Sequence, residues 1–180
     1  SEVLGLISST EKTIAIAGTH GKTTTTAMLT HLLYHSGTEL TGFVGGIMTN
    51  YDSNYTDRVS SYVVAVADEY DSSFLSLSTV ISAVLSMDAD HLDIYGGSQE
   101  VTEGFKAFIN KTKTGGTVFL HASVTSNFSG EEWDSLQSTY NCLTFGNSNA
   151  DIFADNISYQ PAGSVLFDFH YKTRLYKNIT

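Results

Sequence analysis

The stretch Thr13–His35 constrains the fold of this chain more than any other. Thr13–Ala17 (TIAIA) is a short apolar run, the composition of a buried parallel strand. Gly18-Thr19-His20-Gly21-Lys22-Thr23 follows at once. From Lys22 to His35 the apolar residues Ala27, Met28, Leu32 and Leu33 recur at helical spacing, and Gly37 is placed to stop the helix. Strand, glycine turn and helix in direct succession open a βαβ unit.

The turn itself carries a chemical expectation. The full phosphate-loop pattern wants a glycine five positions before Gly21, where Ile16 stands, so this is the shorter Gly-x-x-Gly-Lys-Thr form. Its setting carries the reading more than the pattern does: it leaves a strand and opens a helix, where backbone N–H groups and the helix dipole face an anion. Lys22 would reach the β- and γ-phosphates of a nucleotide as a point charge, and the Thr23 hydroxyl would sit on magnesium. Gly18, Thr19, His20, Gly21, Lys22, Thr23 and Thr24 are therefore the candidate nucleotide-binding residues, with ATP and Mg2+ as the expected ligands. Two roles are open to His20, substrate contact or solvent-facing spacer. The bland alternative is a glycine turn that merely starts a helix.

Downstream, Thr41–Val44 reads as a strand ending in Gly45-Gly46, and Thr49–Ser61 as a polar loop without periodicity. Tyr62–Ala67 (YVVAVA) and Val80–Met87 (VISAVLSM) are near-continuously apolar, as central parallel strands should be. Gln99–Asn110 presents Val101, Phe105, Phe108 and Ile109 on one helical face, and Gly115-Gly116 turns into a strand at Thr117–His121. Tyr140–Phe145, Ile152–Tyr159, Ser164–Tyr171 and Thr173–Tyr176 read as strands, with turns at Asn147–Ala150 and Pro161–Gly163. No helix separates the last three, so an antiparallel tail is expected after Tyr140. The expected fold is α/β: a mostly parallel, phosphate-loop-type sheet with helices on both faces and an antiparallel strand extension at its C-terminal end.

Composition narrows the partners. Nineteen acidic residues against nine Lys and Arg give a net charge of −10, which argues against nucleic acid and anionic membrane surfaces. Phosphate chemistry here must rest on a few placed cations plus backbone amides. The one cysteine, Cys142, excludes an intrachain disulfide and reads as a small buried or semi-buried thiol. The run of residues shows neither a membrane span nor a leader, and the expected compartment is the cytoplasm.

Four segments together go further. Gly18–Thr26 (GTHGKTTTT), Gly45-Gly46-Ile47, Ala67–Leu75 (ADEYDSSFL) and Asp88–Gly96 (DADHLDIYG) resemble the Mur ligases in motif, order and spacing. The resemblance is dense from Thr13 to Phe108 and loose in the strand-rich tail. It is closest to the branch that joins L-alanine to UDP-N-acetylmuramate, with the murein tripeptide ligases second. It implies that residues 1–180 form the central ATP-binding domain of a three-domain enzyme of peptidoglycan synthesis. In that family, flanking ligase domains hold the UDP moiety and the amino acid, and the central domain would continue past Thr180. It implies an acyl phosphate made from ATP, with Lys22 and Thr23 on the phosphates and first magnesium. By the same resemblance His91 contacts a second metal, which makes Lys22 and His91 the candidate catalytic residues and Thr23 and His91 the candidate metal contacts. Alone, a histidine after a strand is more often structural; the Asp-His-Leu-Asp setting is what changes its reading. Asp88, Asp90 and Asp93 read as solvated or supporting residues. Some members carry a carbamylated lysine on the next helix, although the alanine-adding branch generally does not, so Lys106 reads first as a plain helix-surface lysine and second as that group.

Two positions depart from the family. Val66 stands where it places a magnesium-binding glutamate, and Ser72 where close relatives often carry arginine. Asp68 or Glu69 would have to supply the missing oxygen. A competing reading is thus a nucleotide-binding module without catalytic power. A phosphate-loop kinase or GTPase is disfavoured, since no Asn-Lys-x-Asp segment occurs.

Overall fold

The computed structural model describes residues 2–56, 62–68, 73–88 and 98–180. The expected βαβ opening is present: β1 (Lys12–Ala17), the glycine turn, and α2 (Lys22–His35), preceded by α1 (Glu2–Thr10). After them come β2 (Thr41–Met48), β3 (Ser53–Thr56), β4 (Tyr62–Val66), β5 (Thr79–Val84), α3 (Ser98–Ile109) and β6 (Thr112–His121). The chain closes with α4 (Gly130–Thr139), β7 (Asn141–Gly146), β8 (Ile152–Tyr159), β9 (Val165–Tyr171) and β10 (Arg174–Ile179). All described strands join one sheet in the order β10-β9-β8-β7-β6-β5-β1-β4-β2-β3. From β2 across to β8 every pairing is parallel; β3, β9 and β10 pair antiparallel at the two edges.

Helices lie on both faces. On one, Ala15, Ala17, Val84, Val118 and Leu120 from the strands meet Val101, Phe105, Phe108 and Ile109 of α3 and Leu136 of α4. All four apolar residues expected on the α3 face are buried, and each such side chain contributes roughly 1.5–3 kcal/mol. α1 joins this face through Leu4 and is tied down by Ser8, whose hydroxyl donates to Gly5 O at 2.7 Å and accepts from Ser78 N–H at 3.0 Å.

α2 covers the other face, but not with the residues its periodicity names. Met28 and Leu32 are 61% and 64% exposed, while Thr26 and Thr30 are fully buried. The reason is close approach: a Cβ at Gly42 of β2 would sit 2.5 Å from Thr30 Cγ2. No Met or Leu fits so short a helix–sheet spacing. Thr26 offsets its burial by donating to Lys22 O at 2.8 Å.

The tail differs from expectation in one respect. β7 is parallel to β6, and β8 is parallel to β7, so the antiparallel part begins only with β9. β7 and β8 pair at just two positions, Phe145↔Ile152 and Gly146↔Phe153, so a short loop suffices where a full parallel pair needs a crossover. Asp151 pins that loop, its carboxylate accepting from Thr144 N–H at 2.8 Å and Thr144 Oγ1 at 2.9 Å. Within the expected loop at 49–61, β3 forms a hairpin strand on β2. β2 itself runs through Gly45-Gly46 to Met48, and β6 starts at Thr112, before Gly115-Gly116.

Thr13 of β1 is fully buried, and its hydroxyl has no hydrogen-bond partner among the described residues. A buried, unpaired hydroxyl costs about 1–3 kcal/mol, and valine keeps its shape without it. Thr13→Val should therefore raise the melting temperature by about 2–4 °C per kcal/mol recovered. Differential scanning calorimetry checks this, and a lower melting temperature would show that the hydroxyl is paired in solution.

Candidate phosphate-binding site

Beyond the carboxyl end of β1 the chain turns on two glycines, both in the left-handed region that disfavours side chains: Gly18 at φ 138° and Gly21 at φ 79°. Gly21 caps the N-terminus of α2, and Thr25 N–H donates back to Gly21 O at 2.9 Å. Gly18 is also a close-approach position, since a Cβ there would lie 2.9 Å from Ser86 N. The α2 N-terminus, with the positive end of its dipole, thus opens at the carboxyl edge of a parallel sheet, where anionic ligands are bound in such folds.

Ser86, just past β5, organises the turn. Its hydroxyl shares a hydrogen bond with Thr19 Oγ1 at 2.8 Å and accepts from His20 N–H at 3.0 Å, while its carbonyl accepts from Thr19 N–H at 3.3 Å. Thr19 Oγ1 in turn accepts from Asp88 N–H at 3.2 Å. Sequence reasoning absorbed Ser86 into the apolar run 80–87 and missed it; its signal was a polar residue at the end of a central strand, level with the loop. His20 is held by its backbone here, which leaves both roles for its side chain open.

Lys22 Nζ donates to Gly18 O at 2.7 Å, so the ammonium folds back across the turn it follows. Thr23 and Thr24 are exposed at the first turn of α2. Thr23 faces the β2 glycines: a Cβ at Gly45 would lie 3.0 Å from Thr23 Oγ1 and 3.9 Å from Val66 Cγ2. The Thr23 hydroxyl and the Val66 side chain therefore converge on one spot beside Gly45 of β2, at the end of β4. A glutamate at position 66 would bring an oxygen to that spot, and valine brings none.

The seven expected loop residues are thus brought together. His91, Asp90, Asp93, Glu69 and Ser72 lie outside the described residues. Asp68 and Asp88 are exposed beyond β4 and β5. Among the described residues no group of three His, Cys, Asp or Glu is placed to hold a metal ion, and no helix is long and apolar enough to cross a membrane. Lys106 is engaged elsewhere: its Nζ lies 2.8 Å from Glu132 of α4 and 3.4 Å from Glu103, and over the Phe128 ring. The hydrogen bond that Lys106 donates to Glu132 is the main cause that raises the lysine above its ordinary range. Carbamylation needs a neutral amine, so this setting favours the bracing role. Burial pushes the Cys142 thiol up, as suits an inert side chain.

Known proteins share this layout. Residues 16–178 match the family model of the Mur ligase middle domain. The chain is 39% identical over 179 residues to a UDP-N-acetylmuramate–L-alanine ligase of Christiangramia forsetii, a match covering 99% of this chain and 36% of that protein. It is 48% identical over 120 residues to the ligase of the same name from Flavobacterium psychrophilum, covering 67% of this chain and 27% of that one. The chain thus spans little more than a third of the first relative's length. Among solved structures, the UDP-N-acetylmuramate–alanine ligase of Thermotoga maritima superposes with a TM-score of 0.73 at 26% identity, over 94% of this chain and 36% of that one. A MurF ligase of Thermotoga maritima, solved in complex with ADP, shares the fold at TM-score 0.72 and 16% identity, over 99% of this chain and 45% of that one. The family-model match, the relatives' identity and the shared fold agree, and the chain belongs to the Mur ligase family, whose middle domain it carries.

Proposed function

We propose that this chain is the ATP-binding middle domain of a ligase that joins L-alanine to UDP-N-acetylmuramate in the cytoplasm. The observation that carries the nucleotide part is the turn Gly18–Thr23: two left-handed glycines, an open helix N-terminus and a lysine folded over its mouth. The substrate part rests on the named relatives. In this reading the α2 amides and Lys22 hold the β- and γ-phosphates. The γ-phosphoryl passes to the substrate carboxylate, and the amine of alanine displaces phosphate from the resulting acyl phosphate. Both steps crowd negative charge, so fixed amides and a placed cation lower the barrier by positioning and by electrostatics. His91 is proposed as a further metal contact near the acceptor carboxylate.

The residues present fit a magnesium ion that arrives with the nucleotide. Thr23 offers one hydroxyl, and magnesium characteristically keeps waters and phosphate oxygens for the rest of its shell. When bound, the ion neutralises phosphate charge. With Val66 in place of a carboxylate, the protein contributes little to holding it.

ATP affinity is therefore expected to depend only weakly on magnesium, and Val66→Glu should strengthen that dependence. The glutamate would lower stability without metal by a few kcal/mol, since its half-buried carboxylate then lacks a partner. ATP titrations of both proteins, in magnesium and in EDTA, check this. If the Val66 protein gains as much from magnesium as the variant, position 66 has no bearing on the metal. The same valine favours a second reading, a nucleotide-binding module without catalysis. Phosphate release with the family's flanking domains supplied separates the two: alanine-dependent release supports the ligase, and ATP binding without release supports the silent module.

A further inference from the structure

We propose that His121 is the base-side contact of the nucleotide site, a stacking surface for the aromatic base of ATP; this rests on the phosphate-site reading above. Strand register places it. Ala17, Val84, Leu120 and Thr144 are successive partners across β1, β5, β6 and β7. The next residue on each strand is Gly18, Leu85, His121 and Phe145. His121 therefore stands level with the first loop glycine but two strands away, roughly 10 Å at the spacing of adjacent strands. That is where a nucleoside leads once its terminal phosphates are held at the α2 N-terminus. The face is also right. Thr117, Phe119 and His121 alternate with the buried Val118 and Leu120, and register carries their side through Ile81, Ile14 and Val64 to Gly42, against which α2 packs.

The ring is held in one pose. Ser123 N–H donates to His121 Nδ1 at 3.3 Å, and the Ser123 hydroxyl meets the same nitrogen at 2.8 Å. With Nδ1 accepting, the neutral ring carries its proton on Nε2. Phe145 meets the imidazole edge-on, 5.3 Å between centroids at 74°. Gly146, at φ 126°, lies against the same ring, and a Cβ there would come within 2.6 Å of Nε2. A half-exposed aromatic plane held in place at the rim of the sheet is what a base can stack on without further ordering cost. Nothing in the phosphate chemistry accounts for this histidine, and no described carboxylate bonds to it.

The test compares ATP with inorganic tripolyphosphate, which has the phosphates and no base. Calorimetry at fixed salt and magnesium is run on the wild type, His121→Ala and His121→Phe. The wild type should prefer ATP by a factor on the order of ten, the scale of one stacked base. His121→Ala should lose that preference with tripolyphosphate affinity unchanged, and His121→Phe, which keeps a flat ring, should retain it. An unchanged preference in His121→Ala, or no preference in the wild type, overturns the proposal and leaves the phosphate site standing. If the wild type binds neither ligand, the phosphate site itself is refuted and this contact with it.

Discussion

Replacing Lys22 with alanine is expected to weaken ATP binding by about 1.5–3 kcal/mol, the range for a hydrogen bond to a charged group. That corresponds to roughly a ten- to hundredfold rise in Kd. The lysine is the first residue of α2, and its ammonium lies 2.7 Å from Gly18 O across the turn. A phosphate entering the turn meets this charge directly, in a chain with nine basic residues in all. The substitution should leave the fold intact, because alanine favours a helix at least as well as lysine and the buried Thr26 and Thr30 lie further along α2. Calorimetry of the two proteins at equal salt and magnesium reads the effect. Equal affinity would remove Lys22 from the site.

The larger expected effect concerns catalysis. Supplied with ATP, L-alanine and UDP-N-acetylmuramate, the 180-residue chain alone should form no detectable amide. It spans 36% of the length of the Christiangramia forsetii ligase it matches, and in the proposed reading the family's flanking domains hold the other reactants. Holding reactants in attack geometry supplies on the order of 7–11 kcal/mol of barrier reduction, and loss of even part of it takes the reaction below detection. Chromatographic detection of UDP-N-acetylmuramoyl-alanine reads the outcome. Its ATP-dependent formation by this chain would mean that the middle domain positions all three reactants itself.

How far the sequence speaks depends on the physics behind each segment. The phosphate turn was legible because glycine spacing, strand and helix all constrain the same few residues. β1, β4 and β5 were legible because strands buried on both faces are mostly apolar, and α3 because its Val101, Phe105, Phe108 and Ile109 form one face. α2 misled because periodicity assumes that the large apolar residues face the sheet. Here contact at Gly42 is too close for them, and threonines take their place. α4 was missed although its capping box is written in the chain: Ser129 Oγ accepts from Glu132 N–H at 3.2 Å, and Glu132 Oε2 accepts from Ser129 N–H at 2.7 Å. The direction of β8 was not legible, since a five-residue loop reads as a hairpin turn and only the two-position pairing allows otherwise. At the site, Ser86 and His121 were invisible as partners because both depend on register between strands far apart in sequence.

In the proposed reading, phosphates of ATP are held by the backbone amides of the turn after β1. Backbone amide chemical shifts of 15N-labelled protein during an ATP titration test it residue by residue. Saturable shifts are expected at Thr19–Thr24, with Ser86 and His121 following and the amides of β9 and β10 unmoved. Shifts confined to other elements, or none at concentrations where ATP binds by calorimetry, would contradict it.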